Sequence, residues 1–307
     1  MDFLWHHFAV SGVETYLFVP PLVMLIVSSL TSMAGVSGAF ILLPFQMSVL
    51  GFTAPGVTAT NFVYNIVAIP FGVFQHIRQR RLAWHLFFVL MAGTVPGLFF
   101  GYYLRITLLP DSKKFKLFAG LVLALLAVRT VQSIIADLRQ PPSTNRRKDL
   151  SATVLTGGKF GPLRTKIYCR DQNHAFSTPL LLLVSILVGV VGGSYGIGGG
   201  AILAPFCISV LGLPVTIVSG AALFSTWMSS VIAALFYAFL PASKGGLNTA
   251  PDWALGSLFG LGGMLGIYLG TLLQKHFSAV WIKVILTACI IAISLRYTGS
   301  ALVQFLR

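Results

Sequence analysis

The sequence predicts an all-α polytopic membrane protein made of two repeats, each with four long helices plus one short broken helix, for 8–10 crossings in inverted repeats. Three observations carry this. Of 307 residues, 56% are hydrophobic and 9% charged, with a mean hydropathy of +0.87, whereas soluble domains are nearer a quarter charged. Apolar stretches of about 20 residues recur throughout, each long enough to cross a hydrocarbon core roughly 30 Å thick. A glycine-broken passage also occurs twice. Gly35-Val36-Ser37-Gly38 to Pro44-Phe45 and Ser48-Val49-Leu50-Gly51 superposes on Gly196-Ile197-Gly198-Gly199-Gly200 to Pro205-Phe206 and Ser209-Val210-Leu211-Gly212 at a constant shift of 161.

The elements follow in order. Long apolar stretches lie at 14–34, 57–77, 83–104, 115–137, 177–195, 215–240, 253–274 and 279–298. Shorter apolar pieces at 36–50 and 197–211 follow the first and fifth of these, and each holds a proline that a spanning helix would not tolerate without a break. The first repeat is placed at 1–138, a basic cytoplasmic linker at 139–176 and the second repeat at 177–307. The linker contains Pro141-Pro142-Ser143-Thr144-Asn145 and Gly157-Gly158. The duplication continues beyond the broken passage: Gly93, Gly97 and Gly101 match Gly262, Gly266 and Gly270 at a shift of 169. Glycines at this spacing put a flat stripe on one helix face, which is expected to pack against another helix.

Charge locates the chain and sets its orientation. The net charge of +14 comes in clumps between apolar runs, Arg78, Arg80 and Arg81 and then Arg139 to Arg170, so it reads as cytoplasmic loops beside anionic headgroups and not as a nucleic-acid surface. Met1 to Phe8 carries Asp2 and no Lys or Arg, so no cleavable leader is expected there. If each short piece crosses, each repeat has five crossings and the repeats are inverted; if each re-enters, each has four and the repeats are parallel. Asp2 and Glu14 in an acid-only tail favour crossing with an outer N-terminus, although Arg296 and Arg307 then also fall outside. Cys169, Cys207 and Cys289 show neither a disulfide framework nor metal-ligand spacing.

The duplicated breaks are where chemistry is expected. Interrupted segments at corresponding positions of two repeats point to a transporter's binding site. Glycine runs expose backbone N–H groups, and a helix starting after one aims the positive end of its dipole at the gap. No acidic residue lies in the core of any span, which tilts the substrate towards an anion. Gly35, Gly38, Pro44, Gly196, Gly198, Gly199, Gly200 and Pro205 are the candidates for backbone geometry, and Asn61, Asn65, Ser225 and Thr226 for side-chain contacts. Asn61 and Asn65 are one helical turn apart and share a face. The alternative for these polar groups is bonding to neighbouring helices or to their own preceding carbonyls. Arg129 and Arg296 read as snorkelling side chains, or alternatively as groups closing an anion pathway. No ATP-binding string is present, and no cofactor is expected. Gly35-Val36-Ser37-Gly38 also spells the nucleophile string of intramembrane rhomboid proteases, a remote alternative using Ser37.

The glycine passage from Gly196 to Pro205, followed by Leu211-Gly212-Leu213-Pro214, resembles the sulfite exporter TauE/SafE family, and the likeness covers nearly the whole chain. The first repeat departs from the pattern at Ser37, Ala39 and Phe40. The resemblance implies a non-enzymatic, multi-pass secondary transporter of the bacterial inner membrane, exporting a sulfur oxyanion or organosulfonate. Its partners would be that small anionic substrate, the lipid bilayer and a possible coupling ion, with no nucleic acid. A carrier for another small anion or metabolite is the alternative.

Overall fold

A computed structural model describes residues 5–79, 82–139, 155–169, 173–240, 247–274, 276 and 279–305. A short hairpin, β1 (Trp5–Phe8) and β2 (Val13–Tyr16), precedes α1 (Val19–Ala34), the short α2 (Ala39–Ser48), α3 (Gly56–Ala68) and α4 (Pro70–Arg78). The first half closes with α5 (Trp84–Thr107) and α6 (Ser112–Arg139). An antiparallel sheet follows, β3 (Leu155–Lys159), β4 (Arg164–Cys169) and β5 (Asn173–Ser177). The second half is α7 (Thr178–Tyr195), the short α8 (Gly199–Ser209), α9 (Val215–Phe239), α10 (Trp253–Leu273) and α11 (Ala279–Phe305).

Seven segments among the described residues are long and apolar enough to cross a membrane, with α3 and α4 counted as one from Gly56 to Arg78. The opening stretch 14–34 is shorter as a helix than its hydropathy suggests. Its first residues pair in β2, Pro20 and Pro21 start the helix, and α1 has 16 residues. The stretch 139–176 is likewise more than a polar connection. Ile167 of β4 and Phe176 of β5 join a core with Leu86 and Phe87 of α5, and Phe160 lies against His85 with ring centroids 4.4 Å apart.

Helix directions settle how the halves relate. Gly262, Gly266 and Gly270 of α10 face Pro21, Leu25 and Ser29 of α1, so these helices run parallel. Gly93, Gly97 and Gly101 of α5 face Ser185, Ile186 and Val190 of α7, also in parallel. Both glycine stripes therefore pack helices across the halves, and the missing side chains let backbones touch. Gly256 and Gly260 of α10 face Val63 and Val67, so α3 runs with α1 and α10. Phe62 meets Tyr237 while Trp227 donates to the Ile66 carbonyl, which sets α9 antiparallel to α3, and Phe87 meets Phe224 while Tyr102 meets Tyr237, which sets α9 parallel to α5. Thus α1, α3 and α10 start at the hairpin end of the bundle, and α5, α7 and α9 start at the sheet end. Each helix of one half runs opposite to its counterpart in the other, and the repeats are inverted.

The short helices follow from this. Both α1 and α3 start at the hairpin end, so α2 must return the chain to that end; by the same reasoning α8 returns it to the sheet end. The re-entrant alternative linked to parallel repeats therefore does not apply. Large apolar side chains on α6, α7, α10 and α11, among them Leu121, Leu125, Leu187, Leu265, Trp281 and Ile285, point outward. An apolar exterior of this extent requires lipid, and the chain is a multi-pass membrane protein.

Candidate functional site

The two breaks meet inside the bundle. Gly35 and Gly196 end α1 and α7 in the left-handed region, with φ of +73° and +95°. One closing bond recurs in both copies: Val36 N–H donates to the Thr31 carbonyl and Ile197 N–H to the Gly192 carbonyl, while Gly35 N–H reaches Ser32 and Gly196 N–H reaches Gly192. Asn61 of α3 bridges the two passages, its Nδ2 donating to the carbonyls of Ala39 and Gly196, each at 3.0 Å. Its Oδ1 accepts from Gln46 Nε2 at 3.4 Å. One turn on, Asn65 Nδ2 donates to the Ile197 carbonyl at 3.1 Å. Pro44 has no N–H to offer the carbonyl four residues back, and that carbonyl, of Phe40, instead accepts the Tyr195 hydroxyl at 2.9 Å. Tyr297 donates in turn to the Pro44 carbonyl at 3.3 Å. Pro205 sits at the matching place inside α8.

The copies differ where the shorter helices begin. At α2, Ser37 Oγ accepts from Ala39 N–H, the Ser37 carbonyl from Phe40 N–H, and the Gly38 carbonyl from Ile41 and Leu42. Its first turn is closed by its own chain, and a Cβ on Gly38 would crowd Tyr64 Oη at 2.8 Å. At α8 the cap is Gly198, with φ of +79° and ψ of 148°, a conformation reserved for glycine. No side chain caps that helix, and among the described residues nothing accepts from the amides of Gly199, Gly200 or Ala201. Ser37, the counterpart of Gly198, is what closes the first copy.

Close packing surrounds the α8 start. A Cβ on Gly198 would meet Thr226 Cγ2 at 2.9 Å and Ser229 Oγ at 3.1 Å; one on Gly199 would meet Thr94 Oγ1 at 2.7 Å; one on Gly200 would strike the Ala222 carbonyl. Among the described residues, buried polar atoms without a hydrogen-bond partner include Asn65 Oδ1, Thr94 Oγ1, Ser185 Oγ and Gln46 Oε1. Buried polar atoms are normally paired, and of these Thr94 Oγ1 lies directly beside the uncapped start of α8. The Thr94 and Ser185 hydroxyls can donate, whereas the amide oxygens of Asn65 and Gln46 only accept.

Of the sequence candidates, Gly35, Gly38, Pro44, Asn61, Asn65, Gly196, Gly198, Gly199, Gly200, Pro205 and Thr226 thus converge on the two breaks. Thr226 Oγ1 itself donates to the Ala222 carbonyl of its own helix, and Ser225 Oγ turns towards Met91 Sδ at 3.6 Å. Both hydroxyls thus have a partner inside the bundle. Thr94, which meets Gly199, Ser185, which meets Gly93, and Gln46, which donates to Asn61, stand outside every sequence motif. Their one sequence signal is a lone polar residue inside an apolar span. Ser37 Oγ faces the Ala39 amide, while His76 and His85 lie towards the sheet end.

Inverted repeats whose broken helices meet inside the bundle around unpaired polar groups define a membrane transporter architecture. The profile described as "Sulfite exporter TauE/SafE" matches residues 21–297, and the chain belongs to that family. It is 25% identical over 277 residues to the "probable membrane transporter protein YjnA" of Bacillus subtilis (strain 168), covering 89% of this chain and 96% of that one. A "probable membrane transporter protein" of Xylella fastidiosa (strain 9a5c) is 34% identical over 96 residues, which is 31% of this chain and 34% of the relative. No solved structure matches.

Proposed function

We propose that this transporter carries a small oxyanion, a sulfite or organosulfonate, and binds it at the start of α8, with the first break as a fixed frame beside it. The observation that supports this most is the α8 N-terminus, where among the described residues three unaccepted amides lie beside Thr94, whose buried hydroxyl has no partner and can donate. Helix N-termini bind anions through such amides and the dipole behind them. Asn61 holds the two broken passages in register, so displacement of one is felt by the other. The family description, which names a sulfite exporter, supports the sulfur oxyanion class. The basic residues at the sheet end, including Arg78, Lys159, Arg164 and Lys166, favour that end as cytoplasmic in a bacterial inner membrane. Transport is then a non-enzymatic passage from there to the hairpin end.

The test is purified protein in liposomes, with solid-supported-membrane currents recorded on adding sulfite, thiosulfate, taurine, sulfoacetate, acetate and chloride in turn. Saturable current with the sulfur anions, absent in Gly200→Ala, is expected. Equal currents in Gly200→Ala and the unaltered protein would overturn the α8 site. Saturable current with acetate or chloride alone would overturn the substrate class.

A further inference from the structure

Arg105, in the last turn of α5, is wholly buried although it carries a permanent charge. Its Nε donates to Thr58 Oγ1 at 3.3 Å, its Nη1 donates to the Leu109 carbonyl, and its Cζ lies 3.7 Å from the centre of the Phe115 ring. Nη2 has no partner. Among the described residues no carboxylate stands within ion-pair distance of the guanidinium. Asp252, the buried acid at the same end of the bundle, is committed to Ser11 and the Leu255 amide. Thr58 Oγ1 spends its own proton on the Ser194 carbonyl, and Tyr237 Oη donates to the Gly193 carbonyl. The ring and one carbonyl satisfy a face and a corner of the guanidinium, and the group missing at Nη2 is a negatively charged acceptor.

We infer that Arg105 is the protein's anion-recognition residue at the hairpin end, taking a small oxyanion on Nη2 along the route between the α8 start and that end. The placement supports a relay. Arg105 touches Thr58, Thr58 touches the last turn of α7, and that turn leads directly into the Gly196 break. The route rests on the transport reading above, whereas the binding does not. A purely structural arginine would only tie α5 to the α5–α6 turn through Leu109.

The experiment titrates the full-length protein in detergent with sodium sulfite at constant ionic strength, following heat of binding. Arg105→Gln, which keeps a donor near the Nε position for Thr58 without the charge, is expected to lose affinity by about tenfold or more. Phe115→Leu leaves the guanidinium and its hydrogen bonds but removes the competing ring face, and is expected to tighten sulfite several-fold. Arg105→Lys should fall between Gln and the unaltered protein. Equal affinity in Arg105→Gln and the unaltered protein would overturn the assignment. Should Arg105→Gln not fold, Phe115→Leu decides: unchanged or weaker binding would equally overturn it. If Gly200→Ala transports normally while Arg105→Gln loses sulfite, the α8 reading fails and this one stands.

Discussion

Two asparagines one turn apart do different amounts of work. Asn61 supplies both of its N–H groups to carbonyls of the two breaks, whereas Asn65 supplies one. A buried carbonyl left unpaired costs roughly 1–3 kcal/mol. Asn61→Ala is therefore expected to lose about 2–4 kcal/mol of stability and Asn65→Ala about 1 kcal/mol. Thermal unfolding in detergent checks the order, and a larger loss in Asn65→Ala would contradict it. The glycines divide in the same way. At Gly35 a Cβ meets nothing within 4 Å, and only the positive φ opposes a side chain. Gly35→Ala should cost about 1 kcal/mol and keep transport. Gly200→Ala drives its methyl into the Ala222 carbonyl, and flux should vanish at a far smaller change in α1 packing. Comparable flux loss in both variants would show that backbone shape, and not space at α8, governs the site.

At the scale of elements, each glycine stripe is an interface. Gly97→Leu places a branched chain against the Ile186 carbonyl of α7, where overpacking costs at least about 1–3 kcal/mol and the backbone leaves little room to yield. Gly299→Leu in α11, where a Cβ meets nothing within 4 Å, is the control. Size-exclusion profiles should show aggregated Gly97→Leu beside monodisperse Gly299→Leu; matching profiles would remove the stripe from the packing account. Much of this was legible from residue spacing. The spans, the stripes and both broken passages appear as runs and repeats of residue types that only a membrane helix or its interruption favours. What the sequence withheld is long-range. No local pattern tells that the stripe of α5 meets α7 of the other half. Nor does the tail around Val13 and Thr15, buried on one face over four residues, separate itself from the apolar run it precedes. Thr94 and Arg105 lie outside any motif, and only their missing partners reveal them.

The whole molecule is interlocked. Helix α1 seats on α10 and α5 on α7, so neither half holds the partner of its own stripe. We therefore expect residues 1–139 and 155–307, co-expressed as separate chains, to assemble into a transport-competent pair, while each alone is degraded or aggregates. Pull-down of one tagged fragment by the other, followed by liposome flux, checks this. Stable, monodisperse halves would show that the halves fold independently. Orientation is a second property of the whole. Single cysteines at Gly12 and Gly161 should react with a membrane-impermeant thiol reagent from outside and inside respectively in intact cells and inverted vesicles, and the reverse labelling would invert the assignment.

The pairing of α1 with α10 also sets a timetable. Ser29 donates to the Gly266 carbonyl across 237 residues of chain. At roughly 5–20 residues per second, the ribosome needs on the order of ten to fifty seconds to deliver that partner after Ser29 has been made. For that interval the small-residue face of α1, shaped for a backbone, has only lipid to lie against. The nascent protein is thus an unfinished intermediate for nearly all of its synthesis, and its insertion machinery must hold the first helix until almost the last one arrives.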